Sequence, residues 1–185
     1  MMFKAFLIKY GEIGIKGKNR YLFEDALMNQ IRFSLKNVDG TFEVTKEQGR
    51  IYVEAKSEFE YDEVLEALKR VFGIVEICPM VQVESTDFEG ISAAVLDYID
   101  KTYKDKNFTF KVDARRADKK FPMNSMDINM EMGHRILEKF PEMKVDVHTP
   151  DVYFHIEIRN MVNIYSQKIP GPGGMPVGTN GKAML

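Results

Sequence analysis

The stretch GTFEVTKEQGRIYVEA, residues 40–55, decides the fold of the first half of the chain. Apolar and polar residues alternate on both sides of its central EQG, with Phe42 and Val44 before it and Ile51 and Val53 after it. Alternation with a period of two is typical of strands that bury one face, and a short glycine-containing break between two such runs is typical of a tight turn. The stretch therefore predicts a β-hairpin.

The segments on either side extend this hairpin to six elements. Before it, FKAFLIKY (3–10) predicts a short strand, and apolar residues at every fourth position of 21–35 predict an amphipathic helix. After it, YDEVLEALKRVFG (61–73) predicts a helix that ends at its final glycine. IVEICPMVQVE (74–84) predicts a strand in which Pro79 favours an edge or a bulge. Strand, helix, strand, strand, helix, strand is the order of the ferredoxin-like fold.

The second half of the chain predicts a separate α/β unit, so the whole is expected to be an α+β protein. TDFE (86–89) fits a capping box at the start of a helix, and FTFKVDAR (108–115) alternates as a strand. SMDINMEMGHRILEKF (125–140) repeats apolar residues every four positions on one helical face. Residues 144–169 hold two or three further strands.

Composition restricts the class of protein. The 185 residues are 44% hydrophobic and 29% charged, which is ordinary for a globular protein of one or two small domains. No apolar run approaches the roughly 18 residues of a membrane span, and the N-terminal residues show no signal-peptide cleavage site. The single cysteine, Cys78, excludes a disulfide framework, so a cytoplasmic protein is expected.

The net charge of −2 hides an uneven distribution. Residues 1–20 carry five basic side chains against one acidic one, and residues 101–120 carry eight against three. Residues 84–100 carry five acidic side chains and no basic one. Basic patches attract polyanions, but lysine and arginine also simply solvate exposed faces. Charge alone slightly favours the interpretation that these basic residues only solvate exposed faces.

The first candidate site is GEIGIKGKNR, residues 11–20, between the first strand and the first helix. Its glycines let the backbone approach a ligand closely, and the helix that follows offers unpaired N–H groups to a phosphate. It has neither the Walker nor the dinucleotide-binding glycine spacing. Taken alone, it supports phosphate binding and a solvated connection equally. The candidate contacts are Lys16, Lys18, Asn19 and Arg20.

The second candidate site is KVDARRADKKFPMNS, residues 111–125, where a strand leads through a basic loop to a helix. Arginine binds phosphate at two points and also stacks on bases, so phosphate contact is favoured for the basic residues. Phe121 could stack on an unpaired base, but burial in the core is the favoured interpretation. The candidate contacts are Lys111, Arg115, Arg116, Lys119 and Lys120.

The remaining reactive residue types predict no chemistry. His134, His148 and His155 are not spaced as a metal pair, and His155 alternates outward as a surface histidine would. Cys78 is expected to be a small buried hydrophobe. No nucleophile–base–acid set and no carboxylate pair stands out. No catalytic and no metal-binding residue is therefore predicted.

Three segments together resemble one family. YGEIGIKGKNRYLFE (10–24), DARRADKKFPMNSMDIN (113–129) and PGPGGMPVGTNGKAML (170–185) are similar to the tRNA 4-thiouridine synthetases, also called ThiI. The first and last motifs are specific to that family, and the middle one resembles THUMP domains more broadly. The resemblance implies a ferredoxin-like N-terminal domain (1–75), a THUMP RNA-binding domain (76–168), and a Gly/Pro linker with the first strand of an ATP-binding domain (169–185).

The resemblance also implies a function for a longer protein. The family activates uridine 8 of tRNA with ATP and Mg, and takes sulfur from a cysteine desulfurase; some branches also supply thiamine biosynthesis. Its THUMP domain holds the tRNA acceptor end, and a homodimer is implied. The ATP-binding pyrophosphatase loop would follow KAML, so Met184 and Leu185 would begin that site. The 185-residue chain alone is expected to be non-catalytic and without a cofactor.

Two other functions stay open. One is the RNA-binding part of another THUMP enzyme, such as a tRNA methyltransferase, pseudouridine synthase or cytidine deaminase. The tail motif argues against it. The other is a small-molecule sensor, a common use of ferredoxin-like domains.

Within the tail, residues 171–181 hold five glycines and two prolines and are expected to be mobile.

Overall fold

The chain forms two compact units. The computed structural model describes residues 3–11, 19–47, 49–84, 87–117 and 119–174. The first unit comprises Met1–Pro79 and Gln167–Leu185, and the second comprises Met80–Ser166. The sequence placed the corresponding boundaries after residues 75 and 168. No helix within the described ranges is both long and apolar enough to cross a membrane.

The first unit has the βαββαβ order of a ferredoxin-like fold, as predicted. Its strands lie in the order β2-β3-β1-β4, with both helices packing on the core of this sheet. The elements are β1 Ala5–Tyr10, α1 Arg20–Leu35, β2 Phe42–Glu47, β3 Arg50–Ala55, α2 Tyr61–Leu68 and β4 Ile74–Val83.

The predicted hairpin is formed by β2 and β3, which pair antiparallel with Val44 opposite Val53. Ile51 and Val53 are fully buried and Val44 nearly so, as predicted, but Tyr52 is buried too, so burial does not alternate strictly along β3. The turn closes at Gly49, whose φ of 78° lies in the left-handed region that favours glycine. A turn of this kind joins two short strands without disturbing their register.

Strand β4 contributes to both units. Glu76 and Ile77 pair with Ile169–Pro170 in the first unit, whereas residues 81–83 pair with the strand Val162–Tyr165 in the second. Pro79 separates these two stretches. This position suits a residue that has no backbone N–H to donate to a strand ladder.

The second unit is the predicted α/β unit, with strands in the order β4-β8-β7-β5-β6. Strand β5 pairs parallel with β6 and β7, while β7 and β8 pair antiparallel. The rings of Phe110 and Phe154 meet in its core, 5.7 Å apart. The elements are α3 Phe88–Thr102, β5 Thr109–Arg116, α4 Ser125–Lys139, β6 Lys144–Val145, β7 Val152–Ile158 and β8 Val162–Tyr165.

Helix α3 does not begin with the predicted capping box. Its N-cap is Asp87, whose carboxylate accepts a 2.8 Å hydrogen bond from the backbone N–H of Gly90. Glu89 instead accepts two bonds from Arg135 of α4, at 2.7 and 2.8 Å. A carboxylate that binds a guanidinium at two points is held more strongly than one that accepts a single bond from a backbone N–H, as in a capping box. Glu89 therefore pairs with Arg135 and does not cap the helix. Thr86 lies outside the described residues.

The start of the Gly/Pro linker is ordered, contrary to prediction. Ile169–Pro170 form strand β9, which pairs with β4. Gly171 then donates to the carbonyl of Val75 (2.9 Å) and Gly173 to that of Ile74 (2.7 Å). These backbone bonds hold the segment along the edge of the first unit's sheet. The predicted mobility is therefore wrong for 171–173, and residues 175–181 lie outside the described ranges.

Candidate nucleic-acid interface

The second candidate site lies where β5 leaves the sheet. Burial alternates along β5, so Phe110, Val112 and Ala114 face the core. Lys111 and Arg115 lie on the opposite face, because side chains of a strand alternate between its two faces. Arg115 lies four positions after Lys111, or about 13 Å along the strand, so Lys111 is not brought to the loop itself.

Arg115 is presented outward. Its side chain is 64% exposed, and its Nε lies 3.8 Å from Oδ2 of Asp113. The same oxygen is 3.1 Å from Nδ1 of His155. The hydrogen bond with His155, and then the neighbouring positive charges, lower the pKa of Asp113 below its ordinary value. Asp113 therefore remains ionised at neutral pH and lies near the Arg115 guanidinium, while the Arg115 side chain stays largely exposed.

Arg116 is turned toward the loop that follows it. Its Nη1 donates to the carbonyl of Phe121 at 3.1 Å and to that of Lys119 at 3.4 Å. The ring of Phe121 is buried, as predicted. The backbone N–H of Ala117 donates to the carbonyl of Ile158 at 2.9 Å. Three kinds of contact thus hold the turn: the Ala117 N–H bond at its start, the Arg116 bonds to two of its carbonyls, and the buried Phe121 ring at its end.

We call residues 115–121 the basic loop. Lys119 and Lys120 are both exposed on it, so it brings together their two ammonium groups and the Arg115 guanidinium. Helix α4 starts directly after it, and the Asn129 side chain accepts a 2.7 Å bond from the N–H of Ala114. This bond ties the second turn of α4 to the C-terminal part of β5.

His155 is not the surface histidine that its alternation predicts. Its side chain is only 12% exposed, and its ring stacks on that of Tyr165 with 4.6 Å between centroids. Asp113 lies directly opposite it, because β5 and β7 pair in parallel at these two residues. Sequence alternation identified the face of β7 on which His155 lies. Its pairing with Asp113 depends on the register between β5 and β7, which are far apart in sequence.

The first candidate site is described only in part, since Lys16 and Lys18 lie outside the described residues, as do Met184 and Leu185. Asn19 caps α1 without a side-chain hydrogen bond to the helix. Arg20 has its Nε 3.5 Å from Oε1 of Glu24, and its guanidinium lies against Gly49.

Glu24 joins this contact to the interior of the first unit. It is buried and accepts a 2.6 Å bond from the hydroxyl of Tyr10, which also lies 2.7 Å from the carbonyl of Gly49. Burial and the bond to Glu24 raise the pKa of Tyr10 to about 12. Arg20 is thus part of a packing network as well as a candidate for phosphate contact.

The remaining reactive side chains in the described ranges bear on metal binding and on the single cysteine. They contain no group of three histidine, cysteine or acidic side chains placed to hold a metal ion. Cys78 is fully buried, as predicted, and burial raises the pKa of its thiol to about 11. What the basic loop can do is bind a polyanion through several charged groups.

Two domain families match the two units. Residues 5–78 match the family model of the ThiI ferredoxin-like domain, and residues 85–166 match that of the THUMP domain. The chain is therefore a protein that joins a ferredoxin-like domain to a THUMP domain. Its first unit carries the ThiI ferredoxin-like domain and its second unit carries the THUMP domain, as the sequence resemblance indicated.

Whole-chain comparisons agree with this assignment. The chain is 64% identical over 185 residues to a probable tRNA sulfurtransferase of Lachnospira eligens, and covers 47% of that protein. A 4-thiouridine synthetase solved as an RNA complex with bound ATP matches 98% of the chain with a TM-score of 0.80 and 34% identity, over 45% of its own length. PH1313 from Pyrococcus horikoshii matches 96% with a TM-score of 0.78 and 36% identity, over 58% of its length. The chain spans about half the length of the curated relatives it matches.

Proposed function

We propose that this chain is the tRNA-binding region of a tRNA 4-thiouridine synthetase, and that its basic loop contacts the phosphates of the tRNA acceptor end. The observation that carries the proposal is the joint presentation of Arg115, Lys119 and Lys120 on one fastened loop. The similarity of the whole chain to an RNA-bound synthetase supports the choice of polyanion.

Phosphate contact is the mode of binding that this loop suits. Lysine offers a point charge, and arginine offers a fork that matches two phosphate oxygens. Such contacts fix the position of an RNA without reading its sequence. We propose Lys16, Lys18, Asn19, Arg20 and Lys111 as further contacts around the same RNA.

The larger enzyme implied by the family is part of the proposal. In it, a domain beyond this chain uses ATP with Mg to activate uridine 8, a cysteine desulfurase supplies the sulfur, and the enzyme works as a cytoplasmic homodimer. Thiamine biosynthesis would draw on the same sulfur. The domain limits 1–75, 76–168 and 169–185 follow, with Met184 and Leu185 at the start of the ATP site. The chain alone is then expected to transfer no sulfur.

The test is tRNA binding at several salt concentrations. We expect Arg115→Ala/Lys119→Ala/Lys120→Ala to weaken binding and to lower the salt slope of log affinity by roughly 2–3, since each lost phosphate contact removes roughly 0.7–0.9. The matched control is Lys101→Ala/Lys104→Ala/Lys144→Ala. It removes the same charge from exposed lysines, and Lys144 lies opposite Thr109 at the other end of β5.

A second arm of the test concerns the acceptor end. A tRNA that lacks the single-stranded 3′ end should bind the wild-type chain more weakly than the intact tRNA does. In the basic-loop triple variant this difference should largely disappear. If the triple variant is folded by circular dichroism and binds intact tRNA with the affinity and slope of the control, the loop is only a solvated face and the proposal is wrong.

A further inference from the structure

We propose that Arg116 is a positioning residue for RNA binding: it fixes the basic loop so that Lys119 and Lys120 meet the RNA, and does not itself contact phosphate. The inference rests on the proposed function, since it assigns a role within that binding loop. It assigns different roles to two arginines, Arg115 and Arg116, that are adjacent in sequence and cannot be told apart by residue type.

The geometry distinguishes the two arginines. Arg115 and Arg116 end the same strand and therefore point to opposite faces of it. Arg115 is 64% exposed, with its Nε 3.8 Å from Oδ2 of Asp113. Arg116 is half-buried on the face that holds Val112 and Ala114, and its Nη1 donates to two backbone carbonyls.

The two carbonyls belong to the part of the loop that carries the lysines. One is that of Lys119 itself, and the other is that of Phe121, which follows Lys120. The buried Phe121 ring fixes the far end of the turn, and the bond from Ala117 to Ile158 fixes its start. Arg116 closes the turn between these two anchors and so sets where Lys119 and Lys120 leave the backbone.

Arginine suits this task better than lysine. Its guanidinium stays charged at any relevant pH and presents several N–H donors in a planar fork, whereas lysine presents one compact ammonium. Backbone carbonyls accept hydrogen bonds. A side chain that bonds two of them at fixed positions needs N–H groups that point in fixed directions. A loop that is already ordered loses less side-chain and backbone entropy when RNA binds, and its lysines therefore bind more tightly.

The test is a double-mutant cycle on tRNA binding. Arg116→Lys keeps the charge but removes the fork, and the second change is Lys119→Ala/Lys120→Ala. We expect Arg116→Lys to weaken binding about ten-fold and to lower the salt slope by roughly 1–2 at unchanged net charge. In the Lys119→Ala/Lys120→Ala background the same change should alter affinity by less than about two-fold.

Arg32→Lys is the matched control. Arg32 also donates to a backbone carbonyl, that of Val44 at 3.1 Å, but it lies on α1 in the first unit. Amide hydrogen exchange of Lys119, Lys120 and Phe121 in RNA-free protein gives an independent readout. Exchange there should become faster in Arg116→Lys and stay unchanged in Arg32→Lys.

The outcomes separate the two claims. If the lysine pair matters for binding but Arg116→Lys changes neither affinity nor exchange, the positioning role is wrong and the proposed function stands. If Arg116→Lys weakens binding equally in both backgrounds, Arg116 contacts the RNA itself and the inference is overturned. If wild-type protein fails to bind tRNA, the proposed function fails, and this inference fails with it.

Discussion

The two basic segments look alike in sequence but differ in how the fold uses their arginines. Arg20 and Arg115 each lie beside a carboxylate and are each about half exposed or more, at 51% and 64%. Glu24, the partner of Arg20, is buried and bonded to Tyr10, and the Arg20 guanidinium also lies on Gly49. Asp113, the partner of Arg115, is bonded to His155 at 3.1 Å and lies 3.8 Å from the Arg115 Nε.

The difference shows why charge patterns alone leave binding sites undecided. In the first unit, the arginine completes a network that joins β1, α1 and the β2–β3 turn. In the second unit, the carboxylate beside Arg115 is hydrogen-bonded to a histidine, and the Arg115 side chain stays 64% exposed. Two basic segments can therefore differ in the free energy that they contribute to folding and in the free energy that they contribute to binding.

The largest effect on stability is expected from Glu24→Gln. The change keeps the side-chain size but removes the charge that accepts the Tyr10 hydroxyl and pairs with Arg20. Hydrogen bonds to charged groups contribute about 1.5–3 kcal/mol, so the free energy of unfolding should fall by about that amount. Urea denaturation measures it. Asp25→Asn is the control, since Asp25 pairs with Lys46 at the surface. Equal stability of the two variants would break the comparison.

A smaller effect is expected from Gly49→Ala. Gly49 has φ of 78°, and an added Cβ would collide with the Arg20 guanidinium. Left-handed backbone costs a non-glycine residue about 1–2 kcal/mol, so unfolding should become easier by roughly that amount. Gly133→Ala is the matched control, because an added Cβ there meets nothing within 4 Å and α4 favours alanine. A Gly49→Ala protein as stable as this control would contradict the network.

The smallest effect is expected from Asp113→Asn, and it should change with pH. The pKa of Asp113 is lower in the folded chain than its ordinary 3.8, so the folded state binds fewer protons than the unfolded state. Its contribution is complete above pH 3.8 and is lost as pH falls through the folded value. Wild type should exceed Asp113→Asn by about 1 kcal/mol at pH 7, after allowance for solvent screening, and by less at pH 3. Denaturation at both pH values measures the gap, and a gap that grows toward pH 3 would contradict this account.

Much of the fold follows from sequence periodicity. The alternation of 40–55 and the four-residue spacing of the helices each reflect one buried face, which is a local property. The prediction of mobility was wrong for the first linker residues, because glycine and proline content reports only the conformational freedom of the isolated chain. An added Cβ at Gly171 would lie 2.7 Å from Cγ2 and 2.9 Å from the carbonyl carbon of Ile74, so glycine there permits a close backbone approach.

The site was predictable as a cluster of charge but not as an arrangement. The basic loop stood out because four basic residues follow a strand and precede a helix. The carbonyl contacts of Arg116 and the pairing of Asp113 with His155 depend on the path of a turn and on strand register. Neither is encoded by a spacing that can be counted along the chain.

The most direct test of the central claim compares Arg115→Ala with Arg20→Ala in one series of tRNA-binding isotherms across salt, with unfolding measured in parallel. The account predicts that Arg115→Ala lowers the salt slope of log affinity by roughly 0.7–0.9 and leaves stability nearly unchanged, because Arg115 is exposed. Arg20→Ala should lower stability more and affinity less. Equal affinity and slope for Arg115→Ala and wild type, in a folded protein, would contradict the claim that the basic loop binds tRNA.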